Sequence, residues 1–314
     1  MKHVLVSCAL LLILFPCFGQ DNTSPLHRGT WGYIDRTGKL VIPTQFLTAR
    51  DFSEGLAAVR KYEQHQKWGF IDQTGKIVIA LQFDWAGNFS EGLAPVELDE
   101  KWGFINKAGE FVISPQFDSA NDFSEGVAPV AIKNKWGYVD RTGKMVINPQ
   151  FDHASSFSEG LAEVAEGWPA RAKYGFIDKT GKVVIELKYD KAFKFSEGLA
   201  PVRIGRKWSY IDKNGKKAFN QEFDYARPFS GGLANIEIRN FLIGQREGYI
   251  DKRGKIVIKP HWMLAGDFGE GLGYVATGNN RWDYIDETGK TILSVKARVV
   301  RPFSGGLACV DLTD

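Results

Sequence analysis

The sequence predicts an all-β repeat array, and three observations carry that expectation. A block first seen at Trp31 to Lys39 recurs along the chain in eight copies, glycine is abundant at 34 residues, and aromatic residues alternate with small ones. The favoured architecture is an open, twisted β-solenoid of three-stranded meanders, with a closed eight-bladed propeller as the alternative.

The elements follow in chain order. Residues 1–19 read as a signal peptide: Lys2 and His3, an apolar run from Val4 to Phe15, and small residues ending at Gly19. The run is too short to span ~30 Å of hydrocarbon, so cleavage before Gln20 leaves no transmembrane span. Lipoprotein anchoring at Cys17 is disfavoured, because Phe15 and Pro16 stand where an acylation box wants small residues. Residues 20–30 form a short lead, and residues 31–314 form the array. Removal of the signal leaves Cys309 without an intramolecular partner, so it reads as a small buried residue.

Within the array, copies of the block start at Trp31, Trp68, Trp102, Trp136, Tyr174, Trp208, Glu247 and Trp282, and the intervals define a unit of 34 residues with short insertions. Trp68 to Ile71 has the period of two of a strand with unlike faces. Asp72 to Gly75 supplies a hairpin turn, in which Asp bonds the backbone ahead and Gly takes positive φ. Lys76 to Ile79 returns as a second strand. Pro-Gln-Phe-Asp, as at Pro115 to Asp118, ends it. Phe-Ser-Glu-Gly, as at Phe89 to Gly92, then leads through a connection into a third strand at Leu93 to Val96. Such a meander is too small to bury its own apolar face, so copies must stack. Helical repeats are excluded by glycines every few positions.

The Lys-Trp-Gly-Phe/Tyr-Ile-Asp-x-x-Gly-Lys block, followed by Phe-Ser-Glu-Gly-Leu-Ala-x-Val, resembles the bacterial WG-repeat family, also called KWG repeats, over about residues 28 to 314. The resemblance implies an all-β fold and no particular biochemical activity. Tyr174, Ser209, Glu247 and Asp283 depart from the motif. The first copy opens on its Trp-Gly strand and the chain ends on Leu307 to Val310, the strand that precedes Trp-Gly, so the two ends are complementary. Three visible strands per unit, where a propeller blade has four, favour the open stack.

Lys plus Arg number 40 against 37 Asp plus Glu, evenly scattered, which gives no stripe for nucleic acid. No metalloprotease, nucleophile-elbow, Cys-x-x-Cys or phosphate-loop motif is present, so no catalytic residue, cofactor or metal is assigned. The recurring Asp72, Asp140, Asp178, Asp212, Asp251 and Asp286 read as turn-formers. Glu54, Glu91, Glu125, Glu159, Glu197 and Glu270 read as solvated edge charge. Non-repeating residues are better binding candidates. Inserts at Tyr62 to Gln66, Glu166 to Ala172 and Arg239 to Gln245 fall on one edge, the second carrying Trp168 and Arg171. Trp85 and Trp262 break the pattern at corresponding places after the second strand, where packing under the connection is the favoured role and an exposed platform for a sugar or peptide is the alternative. The expected function is a non-enzymatic scaffold, secreted, periplasmic or envelope-associated, that binds a protein or cell-envelope polymer. A glycan- or peptidoglycan-binding module and a cryptic hydrolase are the alternatives.

Overall fold

A Trp-Gly-aromatic-Ile segment must bury both faces of its strand, and it does so in the middle of a small antiparallel sheet. The computed structural model describes residues 30–62, 66–167, 171–240, 242 and 244–312, and in them the strands form eight sheets. The signal segment, Cys17 and Trp168 lie outside the described residues. Blade two is representative, with Trp85–Ala86 innermost, then Leu93–Leu98, Lys101–Asn106 and Phe111–Phe117 outermost. Blade one runs from Thr48 to Phe83, blade three from Ser119 to Phe151, and blade four from His153 to Tyr189. Blades five, six and seven begin near Lys191, Tyr225 and Ala265.

The open solenoid is overturned by the pairing of the chain's ends. Trp31–Ile34 pairs antiparallel with Leu307–Asp311, in the register Trp31 to Asp311, Gly32 to Val310, Tyr33 to Cys309 and Ile34 to Ala308. Blade eight is therefore made from both ends, and the array closes into an eight-bladed propeller with no free sheet edge at either end. The missing fourth strand is a two-residue element, such as Ser119–Ala120, inside the stretch that the sequence reads as a connection. Each sequence unit thus gives its first two strands to one blade and the rest to the next.

One aromatic pair recurs at every interface between adjacent blades. The ring of the Trp-Gly strand meets the Phe 19 positions later: Tyr33 with Phe52, Phe70 with Phe89, Phe104 with Phe123, and so on to Tyr284 with Phe303. Centroid separations are 4.7–5.1 Å throughout. Such pairs add about 0.5–1.5 kcal/mol each beyond the area they bury. Cys309 lies in this core, and burial pushes its thiol pKa up.

The glycine after Trp has a steric cause. A Cβ at Gly103 would stand 2.5 Å from the carbonyl oxygen of Ile113, and one at Gly137 would stand 2.3 Å from that of Ile147, because the bulged outer strand lies against this position. Where the glycine is absent, the outer strand changes. Ser209 in blade five accompanies an outer strand reduced to isolated bridges at Phe223 and Lys217, while Asp283 in blade seven faces Ser294 in a ladder that stays in step from Arg281 to Tyr284.

Candidate functional site: the axial turns

Three turns of each blade bear on the site, and two of them repeat from copy to copy. In the outer hairpin, Asp140 Oδ1 accepts the amides of Thr142 at 2.9 Å and Lys144 at 3.1 Å and the Thr142 hydroxyl at 2.6 Å. Asp35, Asp72, Asp178 and Asp286 do the same. The Thr142 hydrogen bond holds the Asp140 carboxyl below its ordinary pKa. These aspartates are turn-formers.

The recurring glutamates are clasps rather than free edge charge. Glu91 takes φ of 54° in a tight two-residue turn, and its carboxylate accepts the Gly126 amide of the next blade at 3.0 Å. Arg141 of that same blade lies 3.8 Å from it. Glu54, Glu125, Glu159, Glu197 and Glu270 repeat the arrangement. Gly231 and Gly305 stand at the same turn position in blades six and eight, where that carboxylate is absent.

The third turn lies between the innermost strand and the recurring Phe, next to the propeller axis. Its two residues change from blade to blade: Arg50-Asp51, Gly87-Asn88, Asn121-Asp122, Ser155-Ser156, Phe193-Lys194, Arg227-Pro228, Gly266-Asp267 and Arg301-Pro302. Tyrosine hydroxyls of the preceding blades pin several of these turns, Tyr138 donating to the Ser155 carbonyl at 2.8 Å and Tyr33 to that of Arg50 at 2.7 Å. Blades one to four leave an open cavity of about 340 Å³ here, lined by Arg50, Trp85, Asn88, Asn121, Asp122, His153, Ser155 and Ser156 among others.

The cavity's polar groups are incompletely paired. Buried Arg50 Nε and Asn88 Oδ1 have no hydrogen-bond partner, and neither have Asp51 Oδ1, Asp267 Oδ1 and Arg301 Nε in neighbouring turns. The Arg50 guanidinium carbon lies over two aromatic rings, 4.2 Å from the Trp85 centroid and 5.3 Å from that of Trp68. Asp122 sits against the bare Gly87 backbone, where a Cβ would come within 2.8 Å of its Oδ1. Burial drives the Asp122 pKa up to about 6, opposed by the charges of Arg50 and Lys194 and by the Asn88 amide. Across the ring, Arg227 and Asp267 approach to 3.7 Å. His153 Nε2 is 3.6 Å from Glu163 Oε1 at the cavity wall.

Of the residues singled out by sequence, Trp85 lines this cavity, with Arg50 over its ring and Trp102 tilted against it at 4.7 Å. Trp262 is not its counterpart. It ends the outer strand of blade six opposite Glu247, where the other blades place a ring such as Phe83 or Phe117, and it packs on His261 and the Tyr249 cluster. Arg171 is exposed in the blade-four hairpin, away from the cavity lining. The three inserts fall in sequence between the second and third strands of blades one, four and six, and residues 63–65, 168–170, 241 and 243 of them lie outside the described residues. Arg50, Asn88 and Asp122 were missed by sequence reasoning. The available signal was variation: apart from the repeated Arg-Pro of blades six and eight, the pair before the recurring Phe differs from copy to copy.

A family profile described as "WG containing repeat" matches residues 31–63, 68–102, 102–136, 136–167, 174–208, 208–240 and 248–282. No curated protein matches the chain. Among solved structures the chain is similar to a eukaryotic initiation factor, at 14% identity and TM-score 0.55 over 81% of this chain and 78% of that one. It is also similar to BamB from Moraxella catarrhalis, at 8% identity and TM-score 0.50 over 93% of this chain and 98% of that one. At these identities the likeness is one of fold. No helix among the described residues is long and apolar enough to cross a membrane.

Proposed function

The chain belongs to the WG-repeat family, and from that premise we propose that it is an exported, non-enzymatic binding propeller that engages a protein or cell-envelope polymer through the axial mouth of its ring. The observation that carries this reading is the split between the repeating turns and the axial turn. Positions that repeat are satisfied inside the fold, whereas the axial positions vary and keep buried donors and acceptors without partners. A buried polar group left unpaired costs about 1–3 kcal/mol, so a site with several of them favours a ligand that completes them. Concave, partly apolar mouths on a rigid ring are where such ligands bind. The export component rests on the apolar run from Val4 to Phe15.

A glycan platform at Trp85 is the weaker reading, because Arg50 and Trp102 already pack on its ring. The test is capture of material from an envelope fraction by the immobilised full chain. The reading expects capture to fall in Arg50→Gln, at the axis, and to persist in Arg253→Gln, at an outer hairpin. Equal capture by both variants would refute it.

A further inference from the structure

The axial cavity holds two half-buried groups of opposite charge that attract but do not meet. Arg50 and Asp122 come from blades one and three, each feels the other's charge, and no ion pair within 4.0 Å joins them. Among the described residues the Arg50 guanidinium donates no hydrogen bond to the protein, although it carries five N–H groups, and its Nε is out of water without a partner. A guanidinium in that state calls for a carboxylate, which it can hold with two parallel bonds. A simple anion would meet the Asp122 carboxylate in the same space, and a simple cation would meet Arg50. A neutral polyol would leave the guanidinium without a charged acceptor.

We infer that this cavity is a binding site for a small zwitterion, the α-ammonium and α-carboxylate of an amino acid. The carboxylate lies on Arg50, and the ammonium donates to Asp122. Ser155 and Ser156 line the wall beside them, and the volume of about 340 Å³ admits a ligand of amino-acid size while falling at the small end of ligand pockets. The Trp85 ring, 4.2 Å from the guanidinium carbon, packs against Arg50 and limits the freedom lost on binding. This deepens the axial reading above and rests on it.

Calorimetric titration of the full chain at neutral pH with L-alanine, acetate and methylammonium tests the inference. Alanine is expected to bind at least about tenfold more tightly than either singly charged fragment, a difference of about 1.4 kcal/mol. Arg50→Gln and Asp122→Asn should each weaken alanine by about tenfold or more, with melting curves recorded to show that both fold. Arg50→Lys, which keeps the charge but loses the planar fork, should fall between wild type and Arg50→Gln. The inference is overturned if acetate or methylammonium binds as tightly as alanine, or if alanine gives no heat up to about 10 mM. Persistence of axis-dependent envelope capture in that event would leave the propeller's binding role intact and remove only the zwitterion.

Discussion

Blade three carries two aspartates 18 positions apart whose surroundings act on them in opposite senses. Asp140, in the outer hairpin, is bonded to the Thr142 hydroxyl and to the amides of Thr142 and Lys144, and its pKa lies below the ordinary value. Asp122, in the axial turn, is desolvated faster than its neighbours compensate, and its pKa rises to about 6. The first carboxylate stabilises the blade, and the second is held there at a cost. A group retained against stability in a concave, varied site is the pattern expected of function.

The largest break of this comparison comes from the scaffold side. Gly137→Ala would place a methyl 2.3 Å from the Ile147 oxygen, with backbone rather than a flexible side chain as the obstacle. Chemical denaturation should show a loss of about 3 kcal/mol or more. Ser209→Gly should not mirror it, since the blade-five outer strand there is already reduced to bridges.

Next in size is Asp122→Asn, which should raise stability. The folded pKa of about 6 exceeds the ordinary value of 3.8, so the folded state holds the extra proton between those values and stability falls as pH rises from one to the other, with the full penalty present above pH 6. The variant should be more stable than wild type by about 1–3 kcal/mol at pH 8, with the gap shrinking as pH falls and closing below about pH 4. Thermal melts of both proteins across that range would read it, and a gap that widened toward low pH would contradict the account. The Asp140 effect has the opposite sign. Its contribution is present above the unfolded pKa and is lost as pH falls through the lowered folded value.

Tyr138→Phe removes the hydroxyl that donates to the Ser155 carbonyl of the neighbouring blade. A loss of about 1 kcal/mol is expected in denaturant melts, together with weaker ligand retention as the axial turn loosens. Smallest is Glu125→Gly. Loss of the clasp to Gly160 is offset by relief of a non-glycine residue at φ of 55°, so stability should move by less than about 0.5 kcal/mol. Glu125→Ala loses the clasp and keeps the strain, and should cost about 1 kcal/mol in the same assay.

Much of the scaffold was legible in the sequence. The hairpin Asp, the Phe anchors and the complementary chain ends all follow from residue type and spacing. The choice of an open stack failed on one element, because an inner strand of two residues such as Ser119–Ala120 is too short to show periodicity. That same element positions the site. Asp122 and Arg50 carry no motif, and what sets them apart is the axis on which eight separate turns converge, a placement visible only once the ring is closed. The alignment of Trp262 with Trp85 failed for a related reason. Trp262 ends the outer strand in register with Phe117, whereas Trp85 begins the short inner strand that spacing alone does not reveal.

The most direct measurement applies one substitution at two places in blade three, with Asp122→Asn and Asp140→Asn compared for melting temperature and for capture of envelope material by the full chain. The account predicts that Asp122→Asn loses capture while melting no lower than wild type at pH 8, and that Asp140→Asn melts lower and captures normally. Capture lost only in Asp140→Asn, or lost equally in both, would contradict it.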